Sequence, residues 1–354
     1  MRMLGCFIIK KEVDLVKAVI MAGGQGTRLK AVSGDTPKPM VSLLGRPMLE
    51  HIILLLKSEG FEDICITLRY RAHEIKNHFG DGGSLGVRLS YRTEDSPLGT
   101  AGGVKNCRDF YADEAFLVIS GDAACDFRLG KLMEKHLGEK AAVTMALHQN
   151  PCPLSYGLTV TDKNGLVRSF IEKPDWTRVV SDMVNTGIYI ISPRVMELVP
   201  EGQEFDFAKD LFPLLLSRGE KIIGMSMDGY WCDVGSPLSY YRCCVDALEG
   251  RLRLNMGEEF SRAADVQSEP EPDEGGLICA CHSRAALMGA LSQAFLELDA
   301  DYSDGIRVTG RNYRMHIAPL ASRSAVRIAV NSPDAEFARR LAFSARELAE
   351  AFGL

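Results

Sequence analysis

The sequence predicts an α/β fold built on a mixed, mostly parallel sheet, followed by a small C-terminal α+β domain. Three observations support this. Near-continuous apolar runs, VKAVIMA (16–22), DICITLR (63–69) and AFLVIS (115–120), suit strands buried on both faces of a parallel sheet. Amphipathic segments alternate with these runs, and that alternation signals βαβ units. A polar, acidic, Pro- and Gly-rich stretch, GEEFSRAADVQSEPEPDEGG (257–276), then separates a short tail from the rest.

The elements follow in order. Residues 1–15 read as an N-terminal extension, since the first convincing strand begins near Val16. In RPMLEHIILLLKSEG, residues Met48, Leu49, Ile52, Ile53, Leu55 and Leu56 form a helical stripe, with Gly60 as the stop. AHEIKNHF is a short helix, VRLSYR (87–92) a strand, and AFLVIS runs straight into Gly121-Asp122. GLTVTDKNGLVRSFIEKP holds two strands around an Asn-Gly turn. NTGIYIIS adds a strand, FAKDLFPLLLSRG an amphipathic helix, and SPLSYYRCCVDALEG (236–250) a closing helix. These readings give a catalytic domain over 16–255, a linker over 256–280 and a small domain over 281–354. The tail comprises a helix near 283–298, short strands, and the helix AEFARRLAFSARELAEAF.

Composition narrows the function classes. The chain has 354 residues, 46% hydrophobic and 25% charged, with a formal net charge of −6. A net negative surface offers no counterion-release attraction for nucleic acid. An anionic ligand would have to be held by local backbone amides and a few cations. The ten cysteines are scattered, several within apolar runs, as free core cysteines in a reducing cytosol would be. Cys279, Cys281 and His282 are the tightest cluster but have no second pair nearby to complete a zinc site. With no long apolar run and no cleavage-site pattern, the sequence reads as cytoplasmic and not membrane-bound.

The chemistry concentrates in AGGQGTRLKAVSGDTPKPM (22–40). Gly23, Gly24 and Gly26 let the backbone approach a ligand and turn amides toward phosphate oxygens. Arg28 and Lys38 supply cations where negative charge develops. The loop lacks the third glycine of a dinucleotide fingerprint, which sets aside an NAD-dependent oxidoreductase, and it lacks the GK[ST] ending of a P-loop. Asp122 follows a buried strand, where open α/β sheets bind ligands, and Asp233 follows another in WCDVG.

Together these motifs resemble the sugar-phosphate nucleotidyltransferases, most of all their mannose-1-phosphate guanylyltransferase branch. The resemblance rests on GGQGTRL, PKPM, SPLGTAGG, ISGDAACDF, FIEKP, NTGIYI, FDFAKDLFP and GYWCDVGSP, in that order from about Val16 to Arg251. It implies a Rossmann-like nucleotidyltransferase fold. It also implies a reaction between a nucleoside triphosphate and a sugar 1-phosphate, with GTP and mannose 1-phosphate favoured. GTP with a heptose 1-phosphate, and UTP or dTTP with glucose 1-phosphate, stay open. A non-catalytic regulatory subunit on the same fold would be expected to lose the charged residues, which are present.

Carried over residue by residue, the resemblance makes Arg28 and Lys38 catalytic. It gives Gly23, Gly24, Gly26, Thr27, Arg28, Gly99, Thr100 and Gly121 to the nucleotide. Gly157, Glu172, Lys173 and Asn185 go to the sugar phosphate. Asp122 and Asp233 become ligands of Mg²⁺, which prefers oxygen donors, and Asp126 a supporting carboxylate. The tail resembles the end of a phosphomannomutase, most clearly in DGIRV and the last helix. Its APLASRS (318–324) lacks the arginine, glycine and acidic residue of the mutase phosphate loop. Mutase activity is therefore not expected, and the tail reads as an oligomerisation or regulatory module through which a homo-oligomer would form.

Overall fold

A computed structural model of the chain describes residues 16–24, 26, 29, 36–150, 153–174, 176–248, 250–255, 277–280, 288, 291, 300–301, 306–319 and 325–353. The N-terminal extension, Thr27, Arg28, linker residues 256–276 and most of the expected helix near 283–298 lie outside the described residues. The chain forms two compact units: Met1–Gln25 with Leu49–Trp231, and Gly26–Met48 with Cys232–Leu354.

The first unit is organised by one sheet. Its strands are β1 (Lys17–Met21), β2 (Asp63–Leu68), β3 (Arg88–Thr93), β4 (Phe116–Ser120), β5 (Val143–Gln149), β6 (Gly157–Thr161), β7 (Val167–Glu172), β8 (Met183–Ile191) and β9 (Ile222–Ser226). The main path runs β7-β6-β8-β4-β1-β2-β3, with β5 paired to β8 and β9. β3, β2, β1 and β4 are mutually parallel, whereas β8 runs antiparallel to β4 and β5. The sheet is thus mixed and largely parallel, as the alternating pattern predicts.

Ala18, Val19 and Ile20 are all fully buried although successive side chains point to opposite faces, so the sheet is covered on both sides. On one face Val19, Cys65 and Val118 pack with Ala101 and Val104 of helix α1 (Gly99–Lys105). β6 and β7 form the expected hairpin, with Gly165 at φ +80° in its turn. The Asp162 side chain accepts there from the Asn164 and Leu166 amides at 2.9 and 3.1 Å.

One expected helix differs. FAKDLFPLLLSRG is a five-residue π-helix, Phe207–Leu211, running into helix α2 (Phe212–Ser217). Pro213 has no N–H, so it cannot donate the ordinary bond back to Lys209, and the Phe212 amide bonds to the Phe207 carbonyl instead.

The second unit holds the hairpin Ser42–Leu43 with Arg46–Pro47 and helix α3 (Pro237–Leu248). Its sheet is made of β10 (Leu277–Ala280), β11 (Ala300–Asp301), β12 (Ile306–Thr309), β13 (Arg314–Pro319) and β14 (Ala325–Asn331). Their order is β10-β14-β13-β12-β11, all antiparallel. Helix α4 (Ala335–Gly353) packs on β10, β14 and α3. The boundary expected after residue 255 therefore falls inside a unit: the closing helix of the catalytic segment shares its core with the tail.

Candidate active site

In the first unit, neighbouring strand ends build a loop cluster. The ladder continues past β1, with the Ala22 amide donating to the Thr67 carbonyl at 3.0 Å. The Gly121 amide donates to the Met21 carbonyl at 2.9 Å. Gly23-Gly24 and Gly121-Asp122 thus emerge side by side at the carboxyl ends of two parallel strands, the position at which such sheets bind ligands. A Cβ on Gly121 would lie 2.9 Å from the Met21 carbonyl oxygen, so only glycine permits this approach. The Ser120 hydroxyl donates to Asp122 Oδ1 at 2.5 Å, fixing the carboxylate at the strand end.

Glu94 completes this cluster, although the sequence gave no hint of it. It follows β3, and its amide donates to the Leu68 carbonyl at 2.8 Å. Its carboxylate reaches the first glycine loop: a Cβ on Gly23 would lie 3.4 Å from Oε1, and one on Gly103 only 2.5 Å. Burial raises the Glu94 carboxyl above the usual range, against the hydrogen bond from Leu98 and the charge of Arg69.

SPLGTAGG opens α1, where Gly99 has φ +68°. Its amides at 101 and 102 donate to the Phe205 carbonyl at 2.9 and 3.0 Å. The Thr100 hydroxyl is engaged within the fold, donating to Asp206 Oδ2 and accepting from the Phe207 amide, each at 2.9 Å. Asp206 in turn caps the π-helix by accepting from the Ala208 and Lys209 amides. Sequence reasoning missed Asp206, whose partner in SPLGTAGG lies more than a hundred residues away.

The sugar-side candidates gather on β6, β7 and β8. Gly157 pairs with Glu172 across the hairpin, and a Cβ there would come 2.4 Å from the Phe170 ring and 2.8 Å from Glu172 Oε2. Glu172 is half-buried, and burial pushes its carboxyl up against the pull of Lys173; the Asp206 charge adds to the rise. Lys173 is exposed, with φ +40° and its amide donating to the Tyr156 carbonyl at 3.1 Å. Asn185 accepts from the Gly187 amide at 3.0 Å and donates to the Tyr189 hydroxyl at 2.8 Å. The Asp206 and Glu172 charges both bear on that hydroxyl, so Asn185, Glu172, Asp206 and Tyr189 share one neighbourhood. Asp126 serves as a clamp: it accepts from the Tyr230 amide at 2.7 Å, where Gly229 leaves room at φ +116°. Trp231 is core, its Nε1 donating to the Thr186 carbonyl at 3.1 Å.

In the second unit the structure brings Lys38 and Asp233 together, Nζ to Oδ1 at 3.5 Å, with both side chains largely shielded. Gly26, at φ +63°, packs so tightly that a Cβ would sit 2.7 Å from Lys38 Cβ. Asp233 leads into a fastened helix start: the Gly235 and Ser236 amides donate to Ser239 Oγ at 3.0 and 2.9 Å. Among the described residues no three His, Cys, Asp or Glu side chains converge as a metal cage. Also among them, no helix is long and apolar enough to cross a membrane.

A largely parallel sheet with glycine loops, a carboxylate and a shielded lysine–carboxylate pair at strand ends defines a class of α/β proteins that bind phosphorylated ligands. The chain belongs to the nucleotidyl transferase family, whose model matches residues 17–250. It is 36% identical over 251 residues to the UTP–glucose-1-phosphate uridylyltransferase of Synechocystis sp., covering 67% of this chain and 65% of that protein. It is 33% identical over 251 residues to the mannose-1-phosphate guanylyltransferase of Mycobacterium tuberculosis, covering 69% of each. Among solved structures, HddC from Yersinia pseudotuberculosis, complexed with GMP-PN, superposes with a TM-score of 0.57 at 31% identity. That match covers 65% of this chain and 98% of HddC. The chain thus spans about two thirds of the length of the relatives it matches.

Proposed function

We propose that the protein transfers a nucleotidyl group from a nucleoside triphosphate to a sugar 1-phosphate. GTP and mannose 1-phosphate are the pair we favour. The carrying observation is the Gly121 amide bonded to the Met21 carbonyl, which seats a glycine loop beside a carboxylate at adjoining strand ends. An oxygen of the sugar 1-phosphate attacks the α-phosphorus in line. The bond from that phosphorus to the bridging oxygen breaks, and pyrophosphate leaves with the electron pair. No covalent enzyme intermediate is needed, so positioning and charge neutralisation do most of the work.

The amides of Gly23, Gly24, Gly26, Thr27 and Gly121 cradle phosphate oxygens in this reading, and the Gly99-Thr100 backbone meets the base or ribose. Lys38 and Arg28 neutralise the triphosphate and the departing pyrophosphate. Lys173 holds the incoming phosphate, and Glu172 accepts from sugar hydroxyls beside Gly157 and Asn185. Asp122 and Asp233 present carboxylate oxygens, the donor chemistry that Mg²⁺ takes. When bound, Mg²⁺ would supply charge neutralisation on the reacting phosphates. Relatives named for uridylyl and for guanylyl transfer match the chain about equally well, so few contacts separate the substrate pairs.

The test is pyrophosphate release by purified protein with Mg²⁺, across a grid of nucleoside triphosphates and sugar 1-phosphates, repeated with Asp122→Asn. Signal with GTP and mannose 1-phosphate, lost in the variant, supports the full reading. Signal with another pair keeps the reaction and replaces the substrates. Silence across the grid, with nucleotide still bound, overturns catalysis in favour of a nucleotide-sensing subunit.

A further inference from the structure

The tail-bearing unit holds a cavity of about 250 Å³ between α3 and the β12–β13 hairpin. Its inner wall is aromatic: Tyr241 and Tyr313 are buried, with their hydroxyl oxygens 3.4 Å apart. Gly310 lets the hairpin turn close over this wall, since a Cβ there would sit 2.0 Å from the Tyr313 ring. The rim is basic. Arg242 and Arg311 are exposed at it, and Arg251 stands beside them in an ion pair with Asp246.

The charges decide what such a cavity would accept. Arg251 and Asp246 offset each other, which leaves two guanidinium charges at the mouth, Arg242 and Arg311. This local excess is built into a chain whose overall formal charge is −6, so the general field of the protein does not explain it. Guanidinium forks match phosphate oxygens in geometry and charge. Tyrosine hydroxyls and ring faces suit a short polar carbon skeleton. At about 250 Å³ the space falls below the range of roughly 300–1,000 Å³ usual for drug-sized ligands, so it is too small for a nucleotide.

We propose that this cavity is an accessory binding site for a small organic phosphate. Its phosphate lies between Arg242 and Arg311, and its carbon skeleton lies against Tyr241 and Tyr313. The site belongs to the tail-bearing unit and stands apart from the residues assigned to nucleotidyl transfer, so it does not depend on that assignment.

Isothermal titration calorimetry of the full chain with glycerol 3-phosphate, at ionic strength held constant with KCl, tests it. Wild type and Asp122→Asn should bind alike, and the Arg242→Ala/Arg311→Ala pair should bind at least about tenfold more weakly, the loss of roughly one charge-assisted contact. Inorganic phosphate, which cannot use the tyrosine wall, should bind more weakly than glycerol 3-phosphate. Equal affinity in wild type and the alanine pair would place the phosphate elsewhere and overturn the proposal, as would the absence of binding heat in wild type. If the alanine pair melts early without ligand, Arg311→Gln on the exposed turn carries the same comparison. The readout is binding, so an enzyme that proves silent in the pyrophosphate assay would leave this result intact.

Discussion

Glu94 is a residue whose surroundings go beyond ordinary packing. A carboxyl is wedged between Gly23 and Gly103, and both positions would crowd it if they carried side chains. Burial raises its pKa above the ordinary 4.5, so the folded protein holds the proton more tightly than the unfolded chain does. The stability this contributes is complete below the unfolded pKa and is lost as pH rises through the folded value. Glu94→Gln keeps the shape and removes the charge. Its melting temperature relative to wild type should therefore climb from about pH 5 to about pH 8. Differential scanning fluorimetry across that range checks this, and a gap that stays flat or shrinks with pH would contradict it.

The π-helix at 207–211 joins two parts of the chain at the scale of elements. Asp206 caps it and also receives the Thr100 hydroxyl, so one carboxylate fixes both the helix start and SPLGTAGG. Asp206→Ala should cost about 1–2 kcal/mol from the lost cap, read as a lower urea midpoint with an unchanged slope. Gly99→Ala should cost more, about 2–4 kcal/mol. That sum combines a left-handed alanine with a Cβ pressed to 2.6 Å from the Phe205 carbonyl oxygen. A Gly99→Ala midpoint equal to wild type would show that the loop relaxes freely.

These elements also show what the sequence reveals and what it hides. β1, β2, β3 and β4 were legible because burial on both faces writes an unbroken apolar run, and the β6–β7 hairpin because Asn-Gly marks its turn. The π-turn was not legible, since FAKDLF has ordinary helical periodicity and only the missing Pro213 N–H widens it. Glu94 and Asp206 looked like solvated loop acids because their partners are set by tertiary packing. The Lys38–Asp233 pairing likewise brings together residues far apart in the chain, although each was legible in its own motif.

At the scale of the whole molecule, the tail is a structural partner of the helix that closes the family-matched segment. The family match ends at residue 250, yet Tyr240, Tyr241, Cys243 and Cys244 of α3 are all buried within the unit that carries the tail. Helix α4 supplies part of that cover, with Ser344 hydrogen-bonded to Cys244 and the Glu347 charge acting on Tyr240. β13 supplies more, with Met315 at 4.0 Å from the Tyr241 hydroxyl. Truncation after Arg251 strips this cover. Each large apolar side chain returned to water forfeits about 1.5–3 kcal/mol, and domains are stable by only about 5–15 kcal/mol, so the loss of several is severe. The truncated chain should melt well below the full-length protein and bind more of the dye ANS. The same α3 helix begins at the Asp233 loop, so pyrophosphate release should fall with the melting temperature. Size-exclusion chromatography of both forms reads the second expectation for the tail, that it joins copies of the chain. A truncated protein with unchanged melting, dye binding and turnover would show that the catalytic segment folds without its tail. A truncated protein that stays folded but elutes as a smaller species would instead identify the tail as the oligomer contact.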